Sequence, residues 1–416
     1  MASDKNTPVL SVVHGICCGL DVHKREISAC VVETHDDGTV ENHLEQFGTF
    51  TDELVRLRDW LCELECPIVA MESTGVYWRP VHNVLEGYVE VVLVNARHVK
   101  NVPGRKTDIE DSRWLAGLLR HGLVRGSFIP PKEVRQWREL VRLRRTYVES
   151  LGDFKRRIHK LFECANVKID SVVSDLFGLT GRNLMKLLVS EQPISLEQVK
   201  ACARGQLISK VEELYRSIQG FFEGHHRFQL SCLLKTVDTL QEQISSLQTR
   251  LRALTTGYDE LVERLDEIPG IDQLSARAIL AEIGPTLEAF PTAQQLCSWA
   301  GVCPGNNESA GKRHSGKSPV KKHPLKTILV DVAWAAIKKK GSYYQAKYYR
   351  LKARRGAKKA IIAIAHRILK AIYAIIKLGS RYRELGEHYL DRQTQARRLA
   401  KLKMEARQLG YKLVAA

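Results

Sequence analysis

Apolar residues in the first hundred positions fall in short runs bounded by turn residues, the pattern of strands, interrupted by stretches with helical spacing. His14 to Leu20 is apolar and ends at Asp21, Glu26 to Glu33 follows, and Thr39 to Thr49 lies beyond the turn Asp36-Asp37-Gly38, so a hairpin is predicted. Leu54, Leu57 and Leu61 share one face of a predicted helix over 51–63, with Thr51 or Asp52 near its start. Ile68 to Met71 reads as a short buried strand ending at Glu72, a helix starts near Tyr77, and Glu90 to Val94 is a further strand before a helical run from Ser112 to His121. Three strands followed by helix, strand, helix, strand and helix favour a mixed sheet covered by helices.

From residue 132 the spacing turns helical. Residues 132–162 carry ten Lys or Arg against four acids, with Trp137, Leu140, Tyr147, Leu151, Phe154, Ile158 and Leu161 at heptad positions. Such a helix is either solvated on its outer face or laid on phosphates. Residues 163–229 divide into short helices at Gly and Pro. Over 230–268 one heptad position holds Leu230, Val237, Ile244, Leu251, Tyr258 and Leu265, and the other Leu233, Leu240, Leu247, Leu254, Leu261 and Ile268, which predicts a long coiled-coil helix that packs on 132–162 or pairs subunits. Ile268-Pro269-Gly270-Ile271-Asp272 before the helix Gln273–Ile283 resembles a helix-hairpin-helix turn, able either to meet a phosphate or simply to join two helices. A polar, glycine-rich loop over 301–317 precedes helices over 325–340 and 357–379.

Charge changes this picture more than size does. The 416 residues carry a formal charge of +17, and residues 312–383 hold 21 Lys and Arg with a single acid, Asp331, so one late region accounts for the excess. A polyanion is the expected partner, nucleic acid first. Tyr343, Tyr344, Tyr348 and Tyr349 stand among those cations as candidate stacking residues. The ten cysteines show no paired zinc spacing and read as reduced thiols of a cytosolic protein. No secretory signal or membrane span is expected, because the apolar segment 360–379 carries His366, Arg367, Lys370 and Lys377.

Candidate chemistry centres on acids. In Arg105-Lys106-Thr107-Asp108-Ile109-Glu110-Asp111 the residues Asp108 and Asp111 are three apart, hence on one helix face, where like charges repel unless a cation joins them. A solvated acidic first turn is the plain alternative. Asp21 and Glu72 end two apolar strands, where ligands of open α/β sheets lie. Four converging carboxylates would hold two Mg²⁺ ions suited to phosphoryl transfer, whereas Glu110 points elsewhere on its helix.

This order of elements resembles the ribonuclease-H-like fold, its RuvC resolvase branch in particular. An actin-like ATPase would need a glycine turn where Asp21-Val22-His23-Lys24 stands. The motifs Gly19-Leu20-Asp21-Val22-His23-Lys24, Met71-Glu72-Ser73-Thr74-Gly75, Lys106 to Asp111, Ile268-Pro269-Gly270 and Pro304-Gly305-Asn306-Asn307-Glu308-Ser309-Ala310-Gly311, in this order, resemble the insertion-sequence one-ten family of transposases, and its sub-branch with the Pro-Gly-Arg-Lys-Thr-Asp segment. The resemblance implies a RuvC-like DEDD catalytic domain over 1–131, with Asp21, Glu72, Asp108 and Asp111 as catalytic metal ligands for Mg²⁺ or Mn²⁺. It implies a helical coiled-coil region over 132–267, a basic C-terminal serine domain over 268–390 with Ser309 as nucleophile, and a helical basic tail over 391–416. It further implies donor and target double-stranded DNA, a structured bridge RNA as guide, a covalent phosphoserine intermediate, a dimer of dimers and a nucleoid-associated cytoplasmic location. The chain departs from the family in carrying Ser112 after the last acid, Ala310 between Ser309 and Gly311, and no Gly-Asn near Val320-Lys321-Lys322-His323. Ser315-Gly316 is a rival for the serine motif. A RuvC-like nuclease or junction resolvase, and a non-catalytic nucleic-acid-binding assembly protein, are the competing readings.

Overall fold

The computed structural model describes residues 11–73, 75–95, 108–190, 193–304, 307–309, 312–315, 323–412 and 414, with the backbone alone described at 108–110, 307–309 and 312–315. Two compact units divide between Ile129 and Pro130. The first contains β1 (Ile16–Val22), β2 (Glu26–Thr34), β3 (Val40–Gly48), α1 (Thr51–Glu63), β4 (Ile68–Glu72), α2 (Trp78–Leu85), β5 (Glu90–Val94) and α3 (Asp108–Arg120). Its five strands lie in the order β3-β2-β1-β4-β5, with β1, β2 and β3 antiparallel and β1, β4 and β5 parallel. This is the mixed, ribonuclease-H-like sheet expected from the pattern of strands and helices.

Alternation along the strands divides the core in two. Cys18, Leu20, Ile27, Val31, Val69 and Met71 pack with Leu54, Leu57 and Leu61 of α1 and Val81 and Leu85 of α2. On the other face Cys17, Cys30, Val32, Ile68 and Ala70 pack with Leu115, Ala116, Leu118 and Leu119 of α3. Gly19 decides how close α3 can come. A Cβ at this position would lie 2.1 Å from the Ser112 carbonyl oxygen and 2.5 Å from the Ala116 amide nitrogen, so the helix backbone rests directly on the strand. At the far end of α3 the Arg120 carbonyl accepts the amides of Val13 and His14, just before β1, so α3 runs antiparallel to β1. The helix starts at Asp108 rather than near Ser112; its acidic first turn is favoured by the helix dipole.

The second unit is built from helices and one hairpin. The long helix α4 (Lys132–Cys164) is followed by the short helices α5 (Ile169–Val172), α6 (Leu179–Val189), α7 (Leu196–Cys202) and α8 (Val211–Ser217), then by α9 (Gly224–Leu254). Helix α9 packs antiparallel on α4. Ile158 and Leu161 share a core with Leu230 and Leu234, while Trp137 sits edge-to-face with Tyr258, ring centres 5.3 Å apart. The heptad run therefore packs within the chain, but not as one helix. Thr255 and Thr256 turn their hydroxyls back onto the Leu251 and Arg252 carbonyls, Gly257 follows, and the helix stops. Leu230, Val237, Ile244 and Leu251 are buried, whereas Leu233, Leu240, Leu247 and Leu254 are half-buried.

After this break come α10 (Asp259–Asp266), α11 (Gln273–Ile283), α12 (Ala293–Trp299), the hairpin β6 (Asn307–Ser309) and β7 (Lys312–Ser315), α13 (Pro324–Ala336), α14 (Tyr343–Arg355), α15 (Ala357–Leu378) and α16 (Tyr389–Gln408). Part of the expected 301–317 loop is thus a β-hairpin. No helix among the described residues is long and apolar enough to cross a membrane. Two arginines of α4 bind α11. Arg142 grips the buried Glu282 carboxylate through Nε and Nη2 at 3.0 and 2.9 Å, and Arg138 donates to the Ala281 and Glu282 carbonyls at 3.2 and 2.6 Å. Arg138 thus satisfies carbonyls at the end of α11, while Arg142 binds the Glu282 carboxylate and keeps 42% of its own exposure.

Two stability predictions follow from these contacts. Gly19→Ala forces the helix off the strand and should cost about 3 kcal/mol, while Gly117→Ala, with open space at its Cβ, should be neutral or slightly stabilising; urea unfolding of both variants checks the contrast. Glu282→Ala removes the carboxylate that Arg142 and Arg138 share and should cost about 1.5–3 kcal/mol, whereas Glu149→Ala, which breaks the exposed pair with Arg145, should leave the urea midpoint unchanged.

Candidate active site

The strand register brings two of the sequence-singled acids side by side. Leu20 pairs with Met71 across parallel β1 and β4, so Asp21 and Glu72, each one residue further on, are neighbours at the carboxyl ends of adjoining strands. Leu20 and Met71 point to the α1 and α2 side. By strand alternation Asp21 and Glu72 point to the side that α3 covers.

Helix α3 brings the third. With Arg120 beside residues 13–14 and Ala116 and Ser112 against Gly19, the start of the helix lies at the end of β1 that carries Asp21. Ser112 is fully buried, and Asp111 just before it is half-buried. Asp108 occupies the first helical position, three residues before Asp111 and hence on the same helical face; its side chain lies outside the described residues. Arg105-Lys106-Thr107 lies outside them altogether.

Asp21 has a partner that sequence reasoning left without a role. His23 Nε2 stands 3.0 Å from Asp21 Oδ2, while the Asp21 side chain keeps 17% of its exposure. The signal was present in the spacing, because residues two apart on a strand share a face. The donor atoms of Asp21, Glu72 and Asp111 do not all lie within 4.8 Å of one another; among the described residues that spacing is met by Glu223, His225 and His226. Holding one ion would require these side chains to rotate toward one another. An all-oxygen donor set suits a hard dication such as Mg²⁺ or Mn²⁺. All ten cysteines are free thiols, and Cys62 and Cys66, four apart in the sequence, are respectively exposed and buried.

The serine candidates lie in the second unit. Ser309 ends β6 and pairs with Lys312 of β7; Ser315 lies at the other end of the strand pair, opposite Asn307. Residues 310–311 and 316–322 lie outside the described residues.

Two expected nucleic-acid contacts change. Tyr343, Tyr344 and Tyr348 are buried in the helical core, Tyr344 stacked on Tyr382 and Tyr348 against Trp334, so of the four tyrosines only Tyr349 is exposed. Tyr349 stands on α14 among the exposed Arg350, Lys352, Arg354 and Arg355, and Trp334 stands on α13, which the exposed Lys338, Lys339 and Lys340 follow. The turn at Pro269-Gly270 proves to be a packing device. Gly270 has φ of 87° and a Cβ there would lie 2.4 Å from the Val332 carbonyl oxygen of α13, while Asp272 Oδ1 takes the Ser275 amide at 2.7 Å. Burial opposes the charge of Asp272, but the hydrogen bonds from Ser275 outweigh it and lower its pKa, so a carboxylate already occupies the place a phosphate would take.

Two family models match the chain. The DEDD transposase model of the IS110 family matches residues 18–166, which include all four acids. The model described as transposase, IS116/IS110/IS902 family, matches residues 262–350, which include Ser309. No curated protein matches the chain. The two models follow each other in one chain and together span more than half of it, and the chain belongs to the IS110 family of transposases.

Proposed function

We propose that this insertion-sequence transposase cuts and rejoins DNA through a serine nucleophile and a carboxylate-held dication. The observation that carries the reading is the placement of Asp21, Glu72 and the first turn of α3 at one end and on one face of the sheet. Asp21, Glu72, Asp108 and Asp111 hold the metal, Mg²⁺ or Mn²⁺, which supplies Lewis acidity toward a phosphate oxygen. His23 holds the Asp21 carboxylate in place. The Ser309 hydroxyl attacks phosphorus of a DNA phosphodiester, losing its proton. As the Ser309–phosphorus bond forms, the bond from phosphorus to the departing DNA oxygen breaks, and that oxygen takes up a proton. Attack by a DNA hydroxyl on the phosphoserine then restores the serine and joins the new strand.

In this reading the exposed cations of α14 and the preceding Lys338, Lys339 and Lys340 bind phosphates of donor and target DNA and of a structured bridge RNA. Tyr349 and Trp334 offer faces for unpaired bases. Subunits assemble as a dimer of dimers, with the half-buried leucine row of α9 as one contact surface.

Metal binding and strand chemistry are separable. In EDTA, Asp21→Asn should melt at or above the wild-type temperature because it relieves repulsion among the acids. Mg²⁺ should raise the wild-type melting temperature and leave Asp21→Asn unmoved; an equal response from both proteins places the ion elsewhere. With bridge RNA, Mg²⁺ and DNA, wild type should give a covalent protein–DNA adduct on a denaturing gel, absent in Ser309→Ala and retained in Ser315→Ala. Cleavage undiminished in Ser309→Ala would identify a metal-dependent nuclease or resolvase, and no cleavage by wild type under any of these conditions would leave a nucleic-acid-binding assembly protein.

A further inference from the structure

The β2–β3 hairpin carries a second group of acids and histidines, on the opposite face of the sheet from Asp21 and Glu72. Glu33 and Glu41 are directly paired across the two strands, and His43 pairs with Val31 one step along the same face. Like charges placed opposite each other across an antiparallel pair destabilise it. Two imidazoles lie between them. His43 Nε2 is 3.6 Å from Glu33 Oε2 and 3.9 Å from Glu41 Oε1; His35 presents Nδ1 at 3.8 Å to Glu33 Oε1 and Nε2 at 3.5 Å to Glu41 Oε2.

None of these four separations is a good hydrogen bond. His43 Nε2 is shut off from solvent and has no hydrogen-bond partner. Each separation approaches the ~3.4 Å between two ligands of a tetrahedral zinc ion, but His35 faces Glu33 with Nδ1 and Glu41 with Nε2, and no three of the four residues bring one donor atom each within 4.8 Å of one another. Two carboxylates with two neutral imidazoles also balance the charge of a dication. Closing all four donors on one ion requires rotation of the Glu33 and Glu41 side chains, and Glu41 is 57% exposed.

The group Glu223, His225 and His226 brings its donor atoms closer together, but its surroundings oppose a cation. His226 Nδ1 accepts the Glu223 amide at 3.1 Å, which uses the lone pair a metal would need. The group also lies at the positive end of α9, beside a cleft lined by Arg157 and Lys160. That cluster is explained as a helix cap.

We propose that Glu33, His35, Glu41 and His43 form a binding site for a transition-metal dication, Zn²⁺ above all, that clasps the β2–β3 hairpin at the edge of the sheet. Imidazole with carboxylate is a borderline donor set, better matched to Zn²⁺ than to Mg²⁺. The site needs no contribution from the proposed catalytic acids, and its loss leaves them in place.

The full chain, stripped with EDTA and returned to buffer with excess Mg²⁺, is titrated with Zn²⁺ against a chromogenic chelator. Wild type and Asp21→Asn should each retain one equivalent, and His35→Gln/His43→Gln should retain none while keeping the wild-type circular dichroism spectrum. Glu41→Gln, at an exposed position, should weaken retention at least tenfold if the double variant misfolds. Co²⁺ in place of Zn²⁺ should give visible bands without thiolate charge transfer. The proposal fails if wild type retains no Zn²⁺, if the histidine and Glu41 variants retain it as wild type does, or if retention is lost instead in His225→Ala/His226→Ala.

Discussion

A strand and a helix touch backbone to backbone at Gly19, and the first unit depends on that contact. The Ser112 carbonyl and the Ala116 amide occupy the space a side chain would fill. Small residues facing each other at this point let α3 lie against β1 without a layer of side chains between them. Because α3 is also tied to Val13 and His14 at its far end, its direction and its position along the strand are both fixed. The acids at its start are therefore placed by packing and need no favourable interaction among themselves. Carboxylates that repel can be gathered only where something else supplies the energy to hold their backbones together.

Where local spacing and burial point the same way, the sequence is a good guide. The strand ends at Asp21 and Glu72 are legible because an apolar run stops at a charge, and α1 because Leu54, Leu57 and Leu61 repeat on one face. The closeness of Asp21 to Glu72 is not legible, since it depends on β1 pairing with β4 rather than on any local signal. Heptad leucines left packing on α4 and pairing of subunits equally open, and they gave no sign of the break after Leu254, where threonine hydroxyls and Gly257 outweigh an uninterrupted apolar repeat. The tyrosines of α14 misled in the other direction. Interleaving with cations reads as a stacking surface, yet a helix has two sides, and Tyr343, Tyr344 and Tyr348 turn inward while the cations turn out. At Pro269-Gly270 the motif was visible and its use was not, because Gly270 meets α13, more than fifty residues later.

Charge is divided along the chain as well as across helices. Residues 312–383 carry more than the whole of the positive excess, while the DEDD acids belong to the first unit. Carboxylates alone would repel a nucleic-acid backbone, so attraction over distances of a Debye length must come from elsewhere in the protein. Cations on α14 can supply it, because the three at its C-terminal end, Lys352, Arg354 and Arg355, are also favoured there by the helix dipole. Their crowding costs the helix less than the same run would at its start, and the residues that draw in a polyanion do not have to be those that handle its phosphates.

The two faces of the sheet place different metals at different advantage. On the α3 side the proposed ligands are carboxylates on a strand end, a neighbouring strand end and a helix start, a donor set of oxygen alone. On the other side two imidazoles join two carboxylates on one hairpin, and one of those imidazole nitrogens is already out of reach of water. Oxygen donors that can adjust their spacing tolerate a well-hydrated Mg²⁺, whereas imidazole nitrogen binds Zn²⁺ more strongly than Mg²⁺ at any comparable geometry. Abundant Mg²⁺ therefore competes poorly for the hairpin. If the hairpin holds Zn²⁺ and the acids hold Mg²⁺ as proposed, the thickness of the sheet keeps the two donor sets from sharing one ion.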